Sequence, residues 1–130
     1  MTDVAIRAVG LRKSYGRVRA LRGVDLEVGR GEIFGFLGPN GAGKTTTLRC
    51  MLDLIRPDGG TIEVLGLNPQ KEPVAARARM GYLPGELRLD ETMTVVGQLR
   101  FLSQLRGKRL DEPYVRTLAE RLDLDLKFPT

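Results

Sequence analysis

The chain contains no histidine and no tryptophan, and Cys50 is its only cysteine. One cysteine excludes an internal disulfide framework and any multi-cysteine metal site. Without histidine as well, a protein-built zinc centre lacks its usual nitrogen and sulfur ligands and is not expected. No apolar run approaches the about 18 to 20 residues that span a bilayer. The start, Met1 to Arg7, carries an acid and no long apolar stretch, so it does not read as a signal peptide. These absences predict a cytoplasmic protein with no direct membrane insertion, which reaches a membrane only through a partner.

What is present is an ordinary globular composition. The 130 residues are 42% apolar and 28% charged, which suits one folded domain and argues against wholesale disorder. The net charge of +5 is uneven. Between Val4 and Val24 stand Arg7, Arg12, Lys13, Arg17, Arg19 and Arg22 with no acid among them. Such a field attracts polyanions, nucleotide phosphates and nucleic acid alike, unless it is merely a solvated face.

Residue patterning gives a sequence of elements. Val4 to Arg12 alternates as a strand, and Val18 to Val28 forms a second β stretch, a hairpin arm broken near Arg22-Gly23. Ile33-Phe-Gly-Phe-Leu37 is a short apolar run bounded by glycines, the pattern of a strand buried on both faces. A helix is predicted after it, with Leu48, Met51, Leu52 and Ile55 at i, i+3, i+4, i+7 on one face. Arg56-Pro-Asp-Gly-Gly60 ends that helix with turn residues, and Thr61 to Leu65 is the next strand. Pro73 to Arg79 is a short helix with proline in its first turn, and Met80 to Leu83 a short strand. Thr94 caps a helix reaching Leu105 with Val95, Leu99 and Leu102 on one face. Asp111 caps another, with Val115, Leu118 and Leu122 inside. Asp123 to Thr130 has no periodicity.

The chemistry concentrates in one segment. Gly38-Pro39-Asn40-Gly41-Ala42-Gly43-Lys44-Thr45 matches G-x-x-x-x-G-K-[ST] completely, between a predicted strand and a predicted helix, the context that defines a phosphate-binding P-loop. A chance match in a chain of this composition is on the order of 1%. The ligand explains the residue types. Successive backbone N–H groups turn inward around phosphate oxygens, which glycine permits and a Cβ obstructs. The helix start adds its positive end. Lys44 supplies a point charge to the β and γ phosphates and is the candidate catalytic residue. The Thr45 hydroxyl is the candidate Mg2+ ligand, and Thr46 adds a phosphate contact. The predicted cofactors are a nucleoside triphosphate and Mg2+. No Asn-Lys-x-Asp element for guanine is present.

Four stretches carry a wider resemblance: Gly10 to Gly16, Ala20 to Val28, Gly31 to Leu48, and Ile55 to Ile62. Together they resemble the nucleotide-binding subunit of an ABC transporter, specifically through residue 66 and more weakly to the end. The resemblance implies an α/β fold of the P-loop NTPase class. It would be an ABC-type ATPase core over residues 1–92 with the beginning of a helical subdomain over 93–130. It implies that the nucleotide is ATP and that Tyr15 is the aromatic residue that stacks on adenine, with Arg17 and Arg19 near the phosphates. It further implies a second nucleotide-binding subunit in a head-to-tail dimer and a membrane permease, with nucleic acid an unlikely partner.

Two departures from the family pattern stand out. In Gly81-Tyr-Leu-Pro-Gly85-Glu86, Gly85 occupies the place where the family carries a glutamine that contacts Mg2+ and the attacking water. Glu86 beside it points elsewhere, and the Leu-Pro-Gly-Glu run resembles a drug-exporter branch. The second departure is larger: the signature, Walker B, D-loop and switch regions are absent from the 130 residues. Asp90-Glu91 imitates a Walker B ending, but no apolar strand precedes it, and Leu122 to Asp125 trails a helix. The expectation is therefore a truncated ABC ATPase of exporter type that binds Mg-ATP without turnover. When full length it would couple ATP hydrolysis to transmembrane export from the inner face of the membrane. The alternatives are a non-catalytic ATP-binding regulatory module and a soluble ABC-type ATPase acting on nucleic acid or the ribosome. Cys50 reads as an inert, partly buried thiol.

Overall fold

The computed structural model describes residues 3–38 and 43–130. They divide into two compact units, Met1–Tyr82 and Leu83–Thr130. In the first, β1 (Val4–Tyr15) and β2 (Val18–Gly29) form the hairpin that the alternation predicts. β3 (Gly59–Val64) joins the other edge of β1, giving an antiparallel sheet of order β2-β1-β3. The register shifts between the pairs Leu11↔Val24 and Arg12↔Arg22, leaving Gly23 unpaired at the break that the sequence marks.

One face of this sheet is apolar because every second residue points to it. Ala8, Leu11, Leu21, Ile62 and Val64 are buried there with Cys50 and Met51 of α1 (Lys44–Met51), and Ile6, Val24, Leu26, Ile55, Leu65 and Met80 pack around them. On the outward face Arg7 lies between Glu27 and Glu63 in register, and its Nε is 3.2 Å from Glu27 Oε2. The short helix α2 (Pro73–Ala78) is tied to the end of α1 by Arg77 Nη1, which donates to Leu52 O at 3.2 Å.

Several expectations are corrected. Ile33–Leu37 is not a strand, and Ile33 and Leu37 are exposed. A strand buried on both faces needs a hydrogen-bonded neighbour on each side. Among the described residues, the sheet has three strands and none runs alongside 33–37. Met80–Leu83 lacks strand structure for the same reason. α1 ends at Met51, short of Ile55. Asp53 there adopts a left-handed backbone (φ 53°), and the Leu54 N–H donates to Arg49 O at 2.9 Å, closing the helix from its far end. Its buried face is Thr47, Cys50 and Met51, while Leu48 is exposed. Of the predicted face, Met51 and Leu52 are buried and Ile55 packs against the core, but Thr47 and Cys50 enter it in place of Leu48, with the Thr47 hydroxyl satisfied by Gly43 O at 2.9 Å.

In the second unit, α3 (Val95–Leu105) and α4 (Glu112–Arg121) start at the predicted caps. Thr94 Oγ1 accepts from the Gly97 N–H at 3.2 Å and Asp111 Oδ1 from the Tyr114 N–H at 3.1 Å. The predicted interior faces are corrected: Leu102, Leu118 and Leu122 are exposed, and Ala119 is the buried residue of α4. The aperiodic tail has a defined task. Phe128 O and Leu126 O accept the Val95 and Val96 N–H groups, each at 3.0 Å. These are first-turn donors that a helix cannot satisfy itself. Thr130 N–H donates to Met93 O at 3.0 Å, closing the strap. Among the described residues no helix is long and apolar enough to cross a membrane.

Gly60 joins the turn after α1 to the sheet. Its φ is 84°, and a Cβ there would lie 2.6 Å from Val9 O and closer still to the Gly10 carbonyl. Left-handed strain and overpacking together predict that Gly60→Ala destabilises the first unit by about 2 to 4 kcal/mol, measurable by urea denaturation. A loss below about 0.5 kcal/mol, the scale of an ordinary surface substitution, contradicts this seating of β3.

Candidate functional site

The start of α1 is held by a glycine that nothing can replace without movement. Gly43 has φ 90°, and a Cβ on it would lie 2.6 Å from both Ala20 O and Leu21 Cδ2 on β2. The helix therefore begins with its backbone against the hairpin. The Gly43 carbonyl accepts the Thr47 N–H and hydroxyl, both at 2.9 Å. The first turn contains no acid, so nothing offsets the positive helix end.

Lys44 is half-buried and folds back, its Nζ donating to Gly38 O. That contact joins the two ends of the glycine-rich segment. Thr45 is exposed on the first turn and Thr46 half-buried. Pro39, Asn40, Gly41 and Ala42 lie outside the described residues. The residues that flank them fit a polyanion with a divalent cation. They offer an ammonium, a hydroxyl open to solvent and a helix start with uncompensated N–H groups.

Tyr15 ends β1 and is exposed, at 46% of its residue surface. Lys13 Nζ stands 5.5 Å from the ring centroid. Lys13 faces Leu21 across the hairpin, the residue on which Gly43 rests, so the aromatic and the helix start share one scaffold. Asp58, from the turn before β3, takes the Ser14 N–H on Oδ2 at 2.7 Å and lies 3.5 Å from Lys13 Nζ through Oδ1. Its own N–H donates to Arg12 O at 2.7 Å. The Ser14 N–H is the main reason that the Asp58 carboxyl sits below the usual aspartate range, with Lys13 adding to it. In sequence Asp58 reads only as a turn residue and Lys13 as one of six bases. The run of turn residues ahead of a strand is a signal, but the partner it reaches is 44 residues earlier.

Arg17 and Arg19 are exposed and form no ion pair among the described residues. Gly85 and Glu86 are exposed on a turn of the second unit, with open space around Gly85. Asp90 spends its carboxylate locally, accepting from the Thr92 N–H at 2.9 Å and the Thr92 hydroxyl at 2.6 Å. Asp125 likewise accepts the Lys127 N–H at 2.9 Å. Cys50 is fully buried, and burial pushes its thiol pKa up despite the opposing charge of Lys13.

Known proteins give the same architecture. A family model described as ABC transporter matches residues 21–127. The chain is 44% identical over 131 aligned residues to the daunorubicin resistance ATP-binding protein DrrA3 of Streptomyces coeruleorubidus, covering 95% of this chain and 40% of that one. It is 45% identical over 95 residues to the Nod factor export ATP-binding protein I of Paraburkholderia xenovorans, covering 73% and 31%. A solved ATP-binding subunit of an ABC transporter superposes with a TM-score of 0.78 at 28% identity, over 96% of this chain and 54% of the other. The chain belongs to the ABC transporter family, among its ATP-binding subunits, and spans less than half the length of the curated relatives it matches.

Two predictions follow from the site's burial and charge. The Cys50 thiol reacts with a disulfide reagent at neutral pH only as fast as the fold opens, so labelling accelerates on addition of urea; rapid stoichiometric labelling of the folded chain would show the helix packed otherwise. Asp58 has a lowered pKa, so its contribution to stability is present above the unfolded aspartate pKa and is lost as pH falls through the lower folded value. A side-chain NMR titration is expected to place its midpoint below that of a free aspartate.

Proposed function

We propose that this chain is the nucleotide-binding part of an exporter-type ABC ATPase and binds Mg-ATP at the segment Gly38–Thr46. The observation that carries the reading is the junction of Gly43 and Lys44. A left-handed glycine is packed against β2, and the ammonium is turned back to Gly38 across the loop. An ammonium resting on a carbonyl is available to exchange that partner for phosphate oxygens, which accept charge-assisted hydrogen bonds more strongly. Gly43 N–H and its successors face the β and γ phosphates from the helix start. The Thr45 hydroxyl ligates the Mg2+, whose chemistry is to neutralise phosphate charge, and Thr46 adds a phosphate contact. Tyr15 stacks on the adenine. Arg17 and Arg19 add a positive field near the phosphates.

Turnover is a separate matter. Phosphoryl transfer needs an oriented water and a carboxylate or equivalent to receive its proton, besides the cradle. Asp90 and Asp125 are committed to local turns, and Gly85 offers no side chain. The 130-residue chain therefore binds Mg-ATP without hydrolysing it. Within a longer polypeptide it would pair head to tail with a second nucleotide-binding subunit. That assembly would drive a membrane permease from the cytoplasmic face, exporting a small molecule. The name of the Nod factor export ATP-binding protein supports the exporter reading, and that of the daunorubicin resistance ATP-binding protein is in keeping with it.

Isothermal titration with Mg-ATP tests the binding claim. Lys44→Ala is expected to weaken binding by about ten- to a hundredfold, the worth of one hydrogen bond to a charged group. Phosphate release by either chain is expected to stay at background. Equal affinity of the two chains would remove Lys44 from the site, and release that disappears with Lys44→Ala would show turnover.

A further inference from the structure

The Arg56-Pro-Asp58-Gly-Gly60 turn does more than end α1. β3 stops pairing with β1 at Arg12↔Gly59. Beyond that point the Ser14 N–H has no strand to bond, and the Asp58 carboxylate takes the place of one through Oδ2 at 2.7 Å. The other oxygen faces Lys13 Nζ at 3.5 Å. Lys13 and Tyr15 are two apart on one strand, so their side chains share a face. With its ammonium drawn toward Asp58, Lys13 lies over the Tyr15 ring, 5.5 Å from the centroid. One carboxylate thus fixes the backbone just before the ring and the cation upon it. Tyr15 as a whole remains exposed.

We propose that Asp58 is a positioning residue for the nucleobase: through Ser14 and Lys13 it holds the Tyr15 ring in the orientation that stacks on adenine. The proposal rests on the Mg-ATP reading above and adds to it a residue outside the glycine-rich loop. Stacking onto a free tyrosine must first order the ring. A ring already backed by a cation and anchored at its own strand forgoes most of that loss. Among the described residues the Asp58 carboxylate contacts Ser14 and Lys13, on the side of the base, so its effect is expected on the base and not on the phosphates. Like any aspartate, Asp58 is ionised at neutral pH, as the Lys13 contact requires, and the Ser14 N–H and Lys13 hold its pKa below the usual range.

The test compares two ligands on the 130-residue chain, Mg-ATP and magnesium tripolyphosphate, the second having phosphates and no base. Asp58→Asn and Lys13→Met are each expected to weaken ATP about three- to tenfold and to leave tripolyphosphate unchanged, while Lys13→Arg, which keeps a cation over the ring, restores ATP affinity. Without any ligand, the Tyr15 ring resonances are expected to move in both weakened variants. Equal loss for the two ligands, unchanged ATP affinity, or unmoved ring resonances would each overturn the positioning role. Should the unaltered chain bind tripolyphosphate and ATP equally, and Tyr15→Leu change neither, base stacking itself fails at Tyr15 and Asp58 with it. Should it bind neither ligand, the Mg-ATP reading fails, a result distinct from the others. If Asp58→Asn does not fold, Lys13→Met carries the comparison alone.

Discussion

Gly43 has no room for a side chain. Its backbone rests on the Ala20 carbonyl and the Leu21 side chain of β2, and the candidate site of the first unit is referred to that contact. It sets where α1 starts and hence where Lys44 and Thr45 project. It also sets which residues of α1 meet the sheet. With Gly43 seated, Thr47 falls directly over its carbonyl, and Cys50 and Met51 follow into the core. The helix cannot rotate to bury Leu48 instead without lifting its first turn away from the hairpin.

The same hairpin carries the aromatic residue. Leu21 supports Gly43 on one side and pairs in register with Lys13 on the other. A nucleotide held at the helix start and stacked at Tyr15 would thus be measured against a single rigid piece of sheet. Rigid elements hold such groups more closely than loops do. The left-handed Gly60 brings β3 onto the opposite edge of β1 and presents Asp58 to it. The helix start on β2 and the entry to β3 on β1 therefore converge on one hairpin, each with a definite contact.

The second unit is built on a different principle. Among its described residues only Ala119 is a buried apolar residue, so packing contributes little to it. Hydrogen bonds define its form: the caps at Thr94 and Asp111, the tail carbonyls over the first turn of α3, and the link from Arg100 to Glu112 at 2.6 Å. Exposed ion pairs and caps contribute about 1 kcal/mol or less apiece. Unlike the first unit, this one has the outline of a subdomain without a core of its own.

The amino-acid sequence by itself determined what short-range chemistry can specify. The hairpin follows from alternation, the caps from side chains that reach three residues ahead, the P-loop from a run of glycines, a lysine and threonines in fixed order, and the family from the wider resemblance of four stretches. Tertiary structure decided the rest. Whether Ile33–Leu37 becomes a strand depends on neighbours that its own residues cannot supply. The end of α1 turned on Asp53 accepting a left-handed backbone, a choice that the apolar period does not encode. Thr47 displaced Leu48 from the core because a carbonyl four residues back could satisfy its hydroxyl. Asp58 came to Ser14 and Lys13 only when β3 was laid beside β1. Periodicity reports what a residue prefers, whereas its partner across the sheet is settled only when distant segments meet.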